Sequence, residues 1–589
     1  MTIKTKDPII VEIKEKPGFI NNLEDEIKTL AGDKCMLLLS YPSVYVHKWN
    51  DNKVTNKKLF DVYIGESNDI IQRTREHLAN SKDINKWQNH LTEESENPSM
   101  FIIGHPHFNK SLTLDVENKL IDYVFGMKTV NKVHNARGNP QNVYYSSNEL
   151  QLIFDKIWDD LHSNNKQLFI SKEEIRDSAI FKASPFHKLN RQQLDAKNKI
   201  IAKLSEALKD NKTDQLVFVN GAAGTGKTVL MSSTFYDVVD RQKELFEKKI
   251  NCALIVNHDE QKVVYDEIVR KLDLKSSNKK PLVYKPTNFI NEHKNKRPID
   301  IAFIDEGHLL LTQKGRAYGG DNHLEDIMKC SKVTVFVYDE NQALTAEEMW
   351  EKEKLQQKID TSISQGNYIT LTEQLRMVAN KDTIDFIDGI TLRQMIGQYK
   401  KDPHYRIKVF DNPSKLAKAI KQKAGKEKTK LSRLIATYDW EYNREEAPTK
   451  GKYWEVKIGR FHMPWNRELG RESKSTDKTT AWAERAETIN EIGSTFTIQG
   501  FDLNYAGVII GPSVYYKDGK IQFNPKKTKN RKATYKKRTT KGQIDCSEEL
   551  LRHELRVLLT RGVNGLYIYA CDQELNNALK KAITSSKGD

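Results

Sequence analysis

The sequence predicts an α/β protein in which two parallel-sheet regions follow a small α+β domain. In both regions, short apolar runs alternate with polar segments of helical length, as strands and helices do in a parallel sheet. The runs are 215–220, 252–257, 299–305 and 333–339 in the first region, and 434–439, 505–511 and 565–570 in the second. The residues before them carry strand and helix signals of their own. We therefore expect domains at residues 1–165, 166–355 and 356–589.

Two strand-like runs lie near the N-terminus, within residues 43–52 and 59–77. Polar residues separate them, which predicts a β-hairpin. The second run breaks at Gly65, and a helix is expected to follow, capped by Ser67 or Asn68. Within this helix, residues 73 and 77 are four apart and share one face.

These runs resemble the GIY-YIG endonuclease family. Residues 63–65, Tyr-Ile-Gly, match the second family signature, and Arg73 follows Tyr63 by ten residues, where the family keeps an arginine. His77 matches a histidine present in some members. The first signature departs, because Ser-Val-Tyr at 43–45 stands where Gly-Ile-Tyr is expected, although the tyrosine is kept.

Two later positions extend this resemblance. Glu117, in the amphipathic segment "VENKLI", matches the glutamate that binds a metal ion. Asn135 is our choice for the later asparagine of the family, with Asn131 and Asn139 as open alternatives.

The resemblance implies metal-dependent cleavage of a phosphodiester bond. Glu117 would carry one divalent metal ion, and Arg73 would hold the scissile phosphate. Tyr45 or His77 would help to take the proton from water, with Tyr63 in support. Two other interpretations stay open: ordinary core tyrosines beside a helix-surface ion pair, or a retained fold that binds nucleic acid without cutting it.

The first parallel-sheet region contains a glycine-rich loop that reads G-x-x-x-x-G-K-T between an apolar run and a helical segment. Glycines let backbone amides turn towards phosphate oxygens, and the helix N-terminus adds partial positive charge. Lys227 supplies a cation for the β- and γ-phosphates, and Thr228 a hydroxyl for Mg²⁺. We expect this loop to bind a nucleoside triphosphate. Its residues are Gly221, Ala222, Ala223, Gly224, Thr225, Gly226, Lys227 and Thr228.

The apolar run 299–305 ends in two adjacent carboxylates. Asp305 is placed to hold the water shell of Mg²⁺, and Glu306 to orient and deprotonate the attacking water. The alternative is an acidic strand end at the surface.

These two features belong to a series of motifs that resembles superfamily 1 helicases in content and order. The motif sequences are most similar to those of the Schlafen-related group. The motifs are "LNRQQ" at 189–193, "DEGH" at 305–308, "VYDENQAL" at 337–344, "LTEQLRM" at 371–377, "GSTFTIQGFDLNYAGVIIG" at 493–511 and "LRVLLTRG" at 555–562.

The resemblance implies two RecA-like domains with ATP in the cleft between them. Opening and closing of that cleft would drive stepping along a nucleic-acid strand. Arg376 and Arg561 match arginines that stabilise the charge developing on the γ-phosphoryl group. Gln342 matches the glutamine of the third motif.

Three further positions are implied as nucleotide contacts. Gln193 matches the glutamine that reads adenine. Gly500 and Asp502 belong to the fifth motif, where aspartate replaces the usual glutamate. This carboxylate is one methylene shorter than that of glutamate, which puts its contact with the nucleotide in doubt.

A basic stretch at 524–543 separates the last two motifs. It has nine Lys and Arg residues between 526 and 541 and no acidic residue. It could follow a phosphate backbone, with Tyr535 available to stack on a base. The alternative is a solvated, flexible insertion.

The composition favours a polyanionic partner. The chain has a formal net charge of +15 and a pI of about 9.1. Nucleic acid is the first candidate, and an acidic membrane surface the second. The five cysteines are far apart, as expected of reduced thiols. The N-terminus lacks the long apolar stretch typical of a signal peptide, and the sequence has no run of 18 apolar residues, so we expect a cytoplasmic protein.

We expect an ATP-dependent motor on nucleic acid, DNA in preference to RNA, joined to a nuclease that needs a divalent metal ion. By resemblance, such fusions in bacteria often serve defence against phage. Two alternatives from other classes stay open. One is an ATP-gated nucleic-acid sensor whose nuclease-like domain only binds. The other is an ATPase that remodels a protein partner.

Overall fold

The structure is a computed structural model, and two compact units make up the chain. One unit is formed by Met1–Lys188 with Tyr265–Lys275, and the other by Leu189–Val264 with Ser276–Asp589. The residues that the structure describes are 6–50, 59–79, 96–135, 144, 147–276, 280–315, 317–426, 430–443, 445–449, 451–466, 469, 482–539 and 541–584.

The N-terminal unit contains a mixed sheet with strand order β1-β4-β2-β3-β5 in its described part. The strands are β1 (Ile9–Lys14), β2 (Ser43–Asn50), β3 (Phe60–Ser67), β4 (Glu96–Gly104) and β5 (Val130–Val133). The helices are α1 (Leu23–Ala31), α2 (Met36–Leu39), α3 (Ile70–Ala79), α4 (Lys110–Gly126), α5 (Leu150–Asn164), α6 (Lys172–Asp177) and α7 (Ala179–Lys182). Strand β5 runs parallel to β3, and the other pairs are antiparallel. This is an α+β arrangement.

The predicted hairpin is confirmed, because β2 and β3 pair antiparallel with Tyr45 opposite Gly65. The predicted helix cap is wrong. The backbone amide of Gln72 donates to Asp69 Oδ1 at 2.9 Å, so Asp69 caps α3. Ser67 is still the last residue of β3, and its hydroxyl instead accepts a hydrogen bond from the amide of Asp69. The strand therefore extends too far for residue 67 or 68 to take the cap position.

The N-terminal unit is not continuous in sequence. Helix α11 (Asp259–Lys271) lies far along the chain, yet its C-terminal half belongs to this unit. The fully buried Lys271 donates from Nζ to the carbonyl oxygens of Phe125 at 2.8 Å and Met127 at 2.6 Å. These carbonyls lie at the C-terminal end of α4, where helix carbonyls lack partners within the helix. Burial lowers the pKa of Lys271 to about 8.

The first parallel sheet of the second unit has the order β11-β6-β10-β9-β7-β8 within the described ranges. Its strands are β6 (Gln215–Gly221), β7 (Cys252–Val256), β8 (Val283–Tyr284), β9 (Ile299–Asp305), β10 (Ser331–Tyr338) and β11 (Tyr368–Leu371). The helices here are α8 (Arg191–Lys209), α9 (Lys227–Asp240), α10 (Gln242–Phe246), α12 (Pro286–His293), α13 (His323–Lys329) and α14 (Lys352–Ser364). Strand β11 lies beyond the boundary expected near residue 355, because α14 crosses over to place it beside β6.

The second parallel sheet has the order β12-β22-β17-β13-β16 in the part of the chain that is described. Its strands are β12 (Arg406–Val409), β13 (Arg433–Ala436), β16 (Ile492–Gly493), β17 (Leu503–Ile510) and β22 (Gly562–Ala570). Three hairpins accompany it: β14 (Glu455–Ile458) with β15 (Phe461–Pro464), β18 (Val514–Lys517) with β19 (Lys520–Phe523), and β20 (Lys537–Thr539) with β21 (Gly542–Ile544). The helices are α15 (Lys381–Thr391), α16 (Pro413–Ala424), α17 (Thr495–Ile498), α18 (Arg531–Thr534), α19 (Ser547–Leu559) and α20 (Gln573–Thr584).

The apolar runs of the sequence form the central strands of both sheets. In β6 and β10, the runs Leu216–Val219 and Val335–Val337 are almost completely buried. Parallel sheets are covered on both faces, so their strands are apolar without alternation. The predicted α/β class with two parallel sheets is confirmed, and the strand orders are compatible with RecA-like domains. Among the described residues, no helix has the length and apolar character needed to cross a membrane.

Candidate nucleotide site and N-terminal polar cluster

The glycine-rich loop connects the end of β6 at Gly221 to the start of α9 at Lys227. Gly224 and Gly226 have φ angles of +85° and +75°, a backbone conformation that favours glycine. A Cβ added at Gly226 would lie 2.1 Å from Gln193 Nε2, so the space as well as the conformation requires glycine. Thr228 follows in the first turn of α9 and is partly exposed. The loop therefore depends on glycine at residues 224 and 226.

Lys227 is the buried cation of this loop, with 7% of its surface exposed. Its Nζ donates to the carbonyl oxygens of Gly221 at 2.7 Å and Ala222 at 2.9 Å, and lies 3.4 Å from Asp339 Oδ2. Burial opposes ionisation of Asp339, but the Lys227 cation holds the pKa of that carboxyl below its ordinary value. The ammonium group thus lies against the carbonyls of the glycine-rich loop.

Asp305 and Glu306 lie at the end of β9, which runs parallel to β10. Asp305 accepts a hydrogen bond from Gln261 Nε2 at 2.8 Å. Glu306 has a φ of +50°, a strained conformation for a residue with a side chain, and its Oε2 lies 3.3 Å from His308 Nε2. Burial lowers the pKa of His308, which favours the neutral imidazole. Because parallel strands end at one edge of a sheet, both carboxylates lie at the same edge as the loop.

A chain of hydrogen bonds joins the second sheet to this loop. The fully buried Arg561 donates from Nη2 to Gln342 Oε1 at 3.2 Å and from Nη1 to the carbonyl of Phe501 at 3.3 Å. Gln342 Nε2 donates in turn to Asp339 Oδ2 at 2.6 Å, and Asp339 faces Lys227. Burial lowers the pKa of Arg561 to about 9, with the Arg376 cation adding to the effect.

Arg376, the other predicted arginine, pairs with Asp502, the aspartate that replaces glutamate in the fifth motif. Arg376 Nε lies 2.5 Å from Asp502 Oδ1, so the shorter carboxylate contacts an arginine. Arg376 Nη1 is buried and has no hydrogen-bond partner among the described residues. A buried donor without a partner is costly, and an anionic ligand could satisfy it.

Gln193 forms a capping box with Asn190 at the start of α8. Its Nε2 also lies 3.4 Å from the carbonyl oxygen of Gly226, in the phosphate loop. Gly500 has a φ of +83°, and a Cβ there would lie 3.9 Å from Gln261 Oε1. Both predicted residues therefore lie beside elements of the candidate nucleotide site.

The structure adds residues that the sequence interpretation misses. Gln374 Nε2 donates to the carbonyl oxygen of Ala223 at 2.7 Å, and Gln499 Nε2 donates to the carbonyl oxygen of Gln342 at 3.3 Å. Gln374 lies two residues before Arg376, and Gln499 is adjacent to Gly500. Their positions within the motifs could therefore have identified them from the sequence. Gln261 has no such signal, because its role depends on where α11 lies.

In the N-terminal unit, four predicted residues meet on one face of the hairpin. The hydroxyl of Tyr45 and Nε2 of His77 share a hydrogen bond of 2.9 Å, and Arg73 Nε donates to the same hydroxyl at 3.4 Å. The Tyr63 ring stacks on Tyr45 at 6.2 Å between centroids and lies 5.2 Å from the His77 ring. Burial raises the pKa of Tyr45, so this hydroxyl stays protonated.

Glu117 and Asn135 meet beside this cluster. Asn135 Nδ2 donates to the carbonyl oxygen of Ile64 at 2.8 Å and lies 3.5 Å from Glu117 Oε1. Asn131 instead donates to Asp61 Oδ1 at 2.8 Å, and Asn139 lies outside the described residues. Asn135 is thus the alternative that reaches Glu117.

Burial raises the pKa of Glu117 to about 7, and the nearby Glu66 adds to the effect. A divalent cation would favour the ionised carboxylate. The described residues contain no group of three or more His, Cys, Asp or Glu that could hold a metal ion. A metal ion at this place would therefore depend on Glu117, with water completing its oxygen ligands.

A buried hydrogen-bonded pair beside the cluster has no counterpart in the sequence interpretation. His47 Nδ1 bonds to Glu15 Oε1 at 2.6 Å, and both side chains are fully buried. The His47 ring lies 5.4 Å from that of Tyr45 and 5.9 Å from that of His77. Period-two alternation in β2 places His47 on the same face as Tyr45. That spacing could have identified His47 from the sequence as a neighbour of Tyr45. No comparable sequence pattern identifies Glu15.

Gly65 leaves the space that Tyr45 occupies. A Cβ at this position would lie 2.4 Å from Tyr45 Oη and 2.5 Å from its Cζ. We expect Gly65→Ala to destabilise the N-terminal unit by about 1–3 kcal/mol, the usual cost of overpacking. Thermal unfolding followed by circular dichroism measures the effect. Gly397→Ala is the control, since a Cβ there meets no atom within 4 Å. Equal unfolding midpoints for the two variants would contradict the packing described here.

Comparisons with known proteins identify a helicase family whose matched range lies mostly in the second unit. The family model described as Schlafen group 3, DNA/RNA helicase domain, matches residues 214–572. An uncharacterized protein of Saccharomyces cerevisiae is 32% identical to this chain over 406 residues, which cover 64% of this chain and 86% of that protein. The matched family range contains the phosphate loop, the carboxylates at the end of β9 and both arginines.

Proposed function

The chain belongs to the Schlafen group 3 family by its DNA/RNA helicase domain, and we propose that it is an ATP-dependent nucleic-acid translocase or helicase whose N-terminal unit cuts nucleic acid. One observation carries the motor proposal: hydrogen bonds and one ion pair lead from Arg561 through Gln342 and Asp339 to Lys227. Nucleotide binding at the loop would therefore change contacts that lead to the second parallel sheet.

In this proposal, ATP binds at the loop and Lys227 exchanges its loop carbonyls for phosphate oxygens. Thr228 and Asp305 would hold Mg²⁺, which would neutralise charge on the phosphates. Glu306 orients the attacking water, and its contact with His308 fixes the carboxylate. Arg376 and Arg561 stabilise the charge that develops on the γ-phosphoryl group.

The nuclease proposal depends on the cluster around Tyr45. Since burial keeps the Tyr45 hydroxyl protonated, His77 is the better group to accept a proton from water, with Tyr45 orienting its ring. Arg73 would hold the phosphate, and Glu117 with its neighbour Asn135 would carry the metal ion. A role in anti-phage defence stays a prediction.

A second candidate function is a nucleic-acid sensor whose N-terminal unit binds without cutting. The observation that favours it is the small number of candidate metal ligands around Glu117, since the described residues contain no group of three or more His, Cys, Asp or Glu that could hold a metal ion. Cleavage that depends on a divalent metal ion distinguishes the two candidates.

The test of the motor is ATP hydrolysis by the purified protein with single- and double-stranded DNA and RNA. We expect nucleic acid to raise the rate of hydrolysis and to lose affinity steeply with salt. If the protein neutralises about six phosphates of a single strand, the logarithm of the binding constant falls with the logarithm of the salt concentration with a slope of about −4. Hydrolysis that no nucleic acid stimulates would instead favour an ATPase acting on a protein partner.

A further inference from the structure

The basic stretch between the last two motifs is folded in its described part, residues 524–539 and 541–544, which we call the basic insertion. It contains helix α18 and the hairpin β20–β21. One cationic residue, Lys537, is buried, with 1% of its surface exposed. The exposed cationic residues are Lys526, Lys527, Lys529, Arg531, Lys532, Lys536, Arg538 and Lys541.

Three contacts anchor the basic insertion to the first parallel sheet. Lys537 Nζ donates to the carbonyl oxygen of Thr312 at 3.2 Å. The backbone amide of Arg538 donates to Gln313 Oε1 at 3.0 Å, and the amide of Ala346 donates to the carbonyl oxygen of Lys532 at 3.0 Å. The described part of the basic insertion is therefore attached to the rest of the unit through the buried Lys537, while its other cationic residues face solvent.

The anchors lie on the loops that leave the nucleotide site. Thr312 follows β9, the strand that ends in Asp305, and Ala346 lies four residues after Gln342. A ligand that shifts the basic insertion would therefore act on the loops that carry Glu306 and Gln342. This provides a short physical path between a bound ligand and ATP hydrolysis.

The exposed cations of the basic insertion differ in their partners. Lys529 pairs with Glu441 at 3.2 Å, and Lys541 pairs with Glu353 at 2.8 Å. The other six form no ion pair within the described ranges, and residues 519–544 contain no Asp or Glu. The Tyr535 side chain is 54% exposed, and Lys532 and Lys536, two of these six, flank it in the sequence. Unpaired cations beside an exposed aromatic ring suit a phosphate backbone with unpaired bases.

We propose that the basic insertion binds single-stranded nucleic acid, with its cations on the phosphates and Tyr535 stacked on a base, and that this contact stimulates ATP hydrolysis. The proposal rests on the motor function above. A single strand is favoured over a duplex because stacking on Tyr535 needs an unpaired base face.

The test compares two double variants with equal loss of formal charge. Lys532→Gln with Lys536→Gln removes two unpaired cations, whereas Lys529→Gln with Lys541→Gln removes two that already have acidic partners. Binding of a fluorescent oligothymidine is measured by anisotropy across a salt series. The slope is that of the logarithm of the binding constant against the logarithm of the salt concentration. We expect the first variant to reduce its magnitude by about 1.4, because each of two lost phosphate contacts contributes about 0.7. The second variant should change the slope by less than half as much.

Tyr535→Ala tests stacking separately. We expect about a tenfold loss of affinity for the oligothymidine, the range of one lost base stack, at an unchanged salt slope. Tyr535→Phe keeps the ring and should bind like the wild type. Loss of affinity for a duplex by the same factor would overturn the stacking assignment.

Basal ATP hydrolysis without nucleic acid shows that each variant is folded. If nucleic acid stimulates the wild type and all variants bind and respond as it does, this inference is wrong while the motor function stands. If nucleic acid does not stimulate the wild type at all, the motor function itself is wrong. Equal competition by polyglutamate, with the same sensitivity to the Lys532 and Lys536 changes, would identify a general polyanion surface and overturn the inference.

Discussion

Lys227→Ala will reduce ATP hydrolysis by about 100- to 1,000-fold, the loss that follows removal of one preorganised charge or donor. The ammonium group lies at the loop carbonyls and beside Asp339, where the β- and γ-phosphates are expected. Steady-state phosphate release measures the change. Lys243→Ala is the matched control, because this exposed lysine of α10 lies outside the site and should leave the rate unchanged.

Glu306→Gln separates nucleotide binding from hydrolysis at the same site. The amide keeps the size of the side chain but cannot take a proton from water, so we expect ATP to bind and turnover to stop. Glu340→Gln, an exposed change next to Asp339, should behave like the wild type. Near-normal hydrolysis by both Lys227→Ala and Glu306→Gln would remove the helicase interpretation.

Glu117→Gln will abolish nucleic-acid cleavage and leave ATP hydrolysis intact. The carboxamide is nearly the same shape but neutral, and a hard divalent cation prefers a charged oxygen. Gel assays of labelled single- and double-stranded DNA and RNA, with and without Mg²⁺, measure cleavage. The control Glu24→Gln changes an exposed carboxylate of α1 that pairs with Lys28, and should cut normally.

Four outcomes test the roles assigned to this cluster. Arg73→Ala should also stop cleavage, since the scissile phosphate loses its cation. Tyr45→Phe should cost less than His77→Ala if the histidine takes the proton and the hydroxyl only orients it. Cleavage by Glu117→Gln at the wild-type rate would exclude this site as the nuclease, and a wild type that cuts no substrate would favour the sensor.

The sequence could predict the parts of the site that lie within contiguous motifs. Gly221–Thr228, Asp305 and Glu306 lie together because a parallel sheet brings the ends of its strands to one edge. The run 333–339 ends in Asp339 just as 299–305 ends in Asp305. The motif comparison nevertheless assigns a role to Gln342 and none to Asp339, although the same strand-end signal identifies both carboxylates.

The remaining contacts depend on distant segments that no local pattern connects. Gln261 reaches Asp305 only because α11 lies beside β9, and Glu15 reaches His47 across more than thirty residues of chain. Asp69 replaces the predicted cap because β3 continues to Ser67, a strand length that tertiary pairing decides.

The divided N-terminal unit has a consequence for the order in which the protein is made. During synthesis, residues 6–188 are translated before Lys271, which donates to the carbonyls of Phe125 and Met127. Arg270, which donates to the carbonyl oxygen of Asn131 at 3.1 Å, arrives equally late. Domains generally fold as units during synthesis, but this unit is complete only after residue 275, by which point β6 and β7 of the first parallel sheet have also been translated. A chain stalled before residue 265 therefore carries an incomplete N-terminal unit.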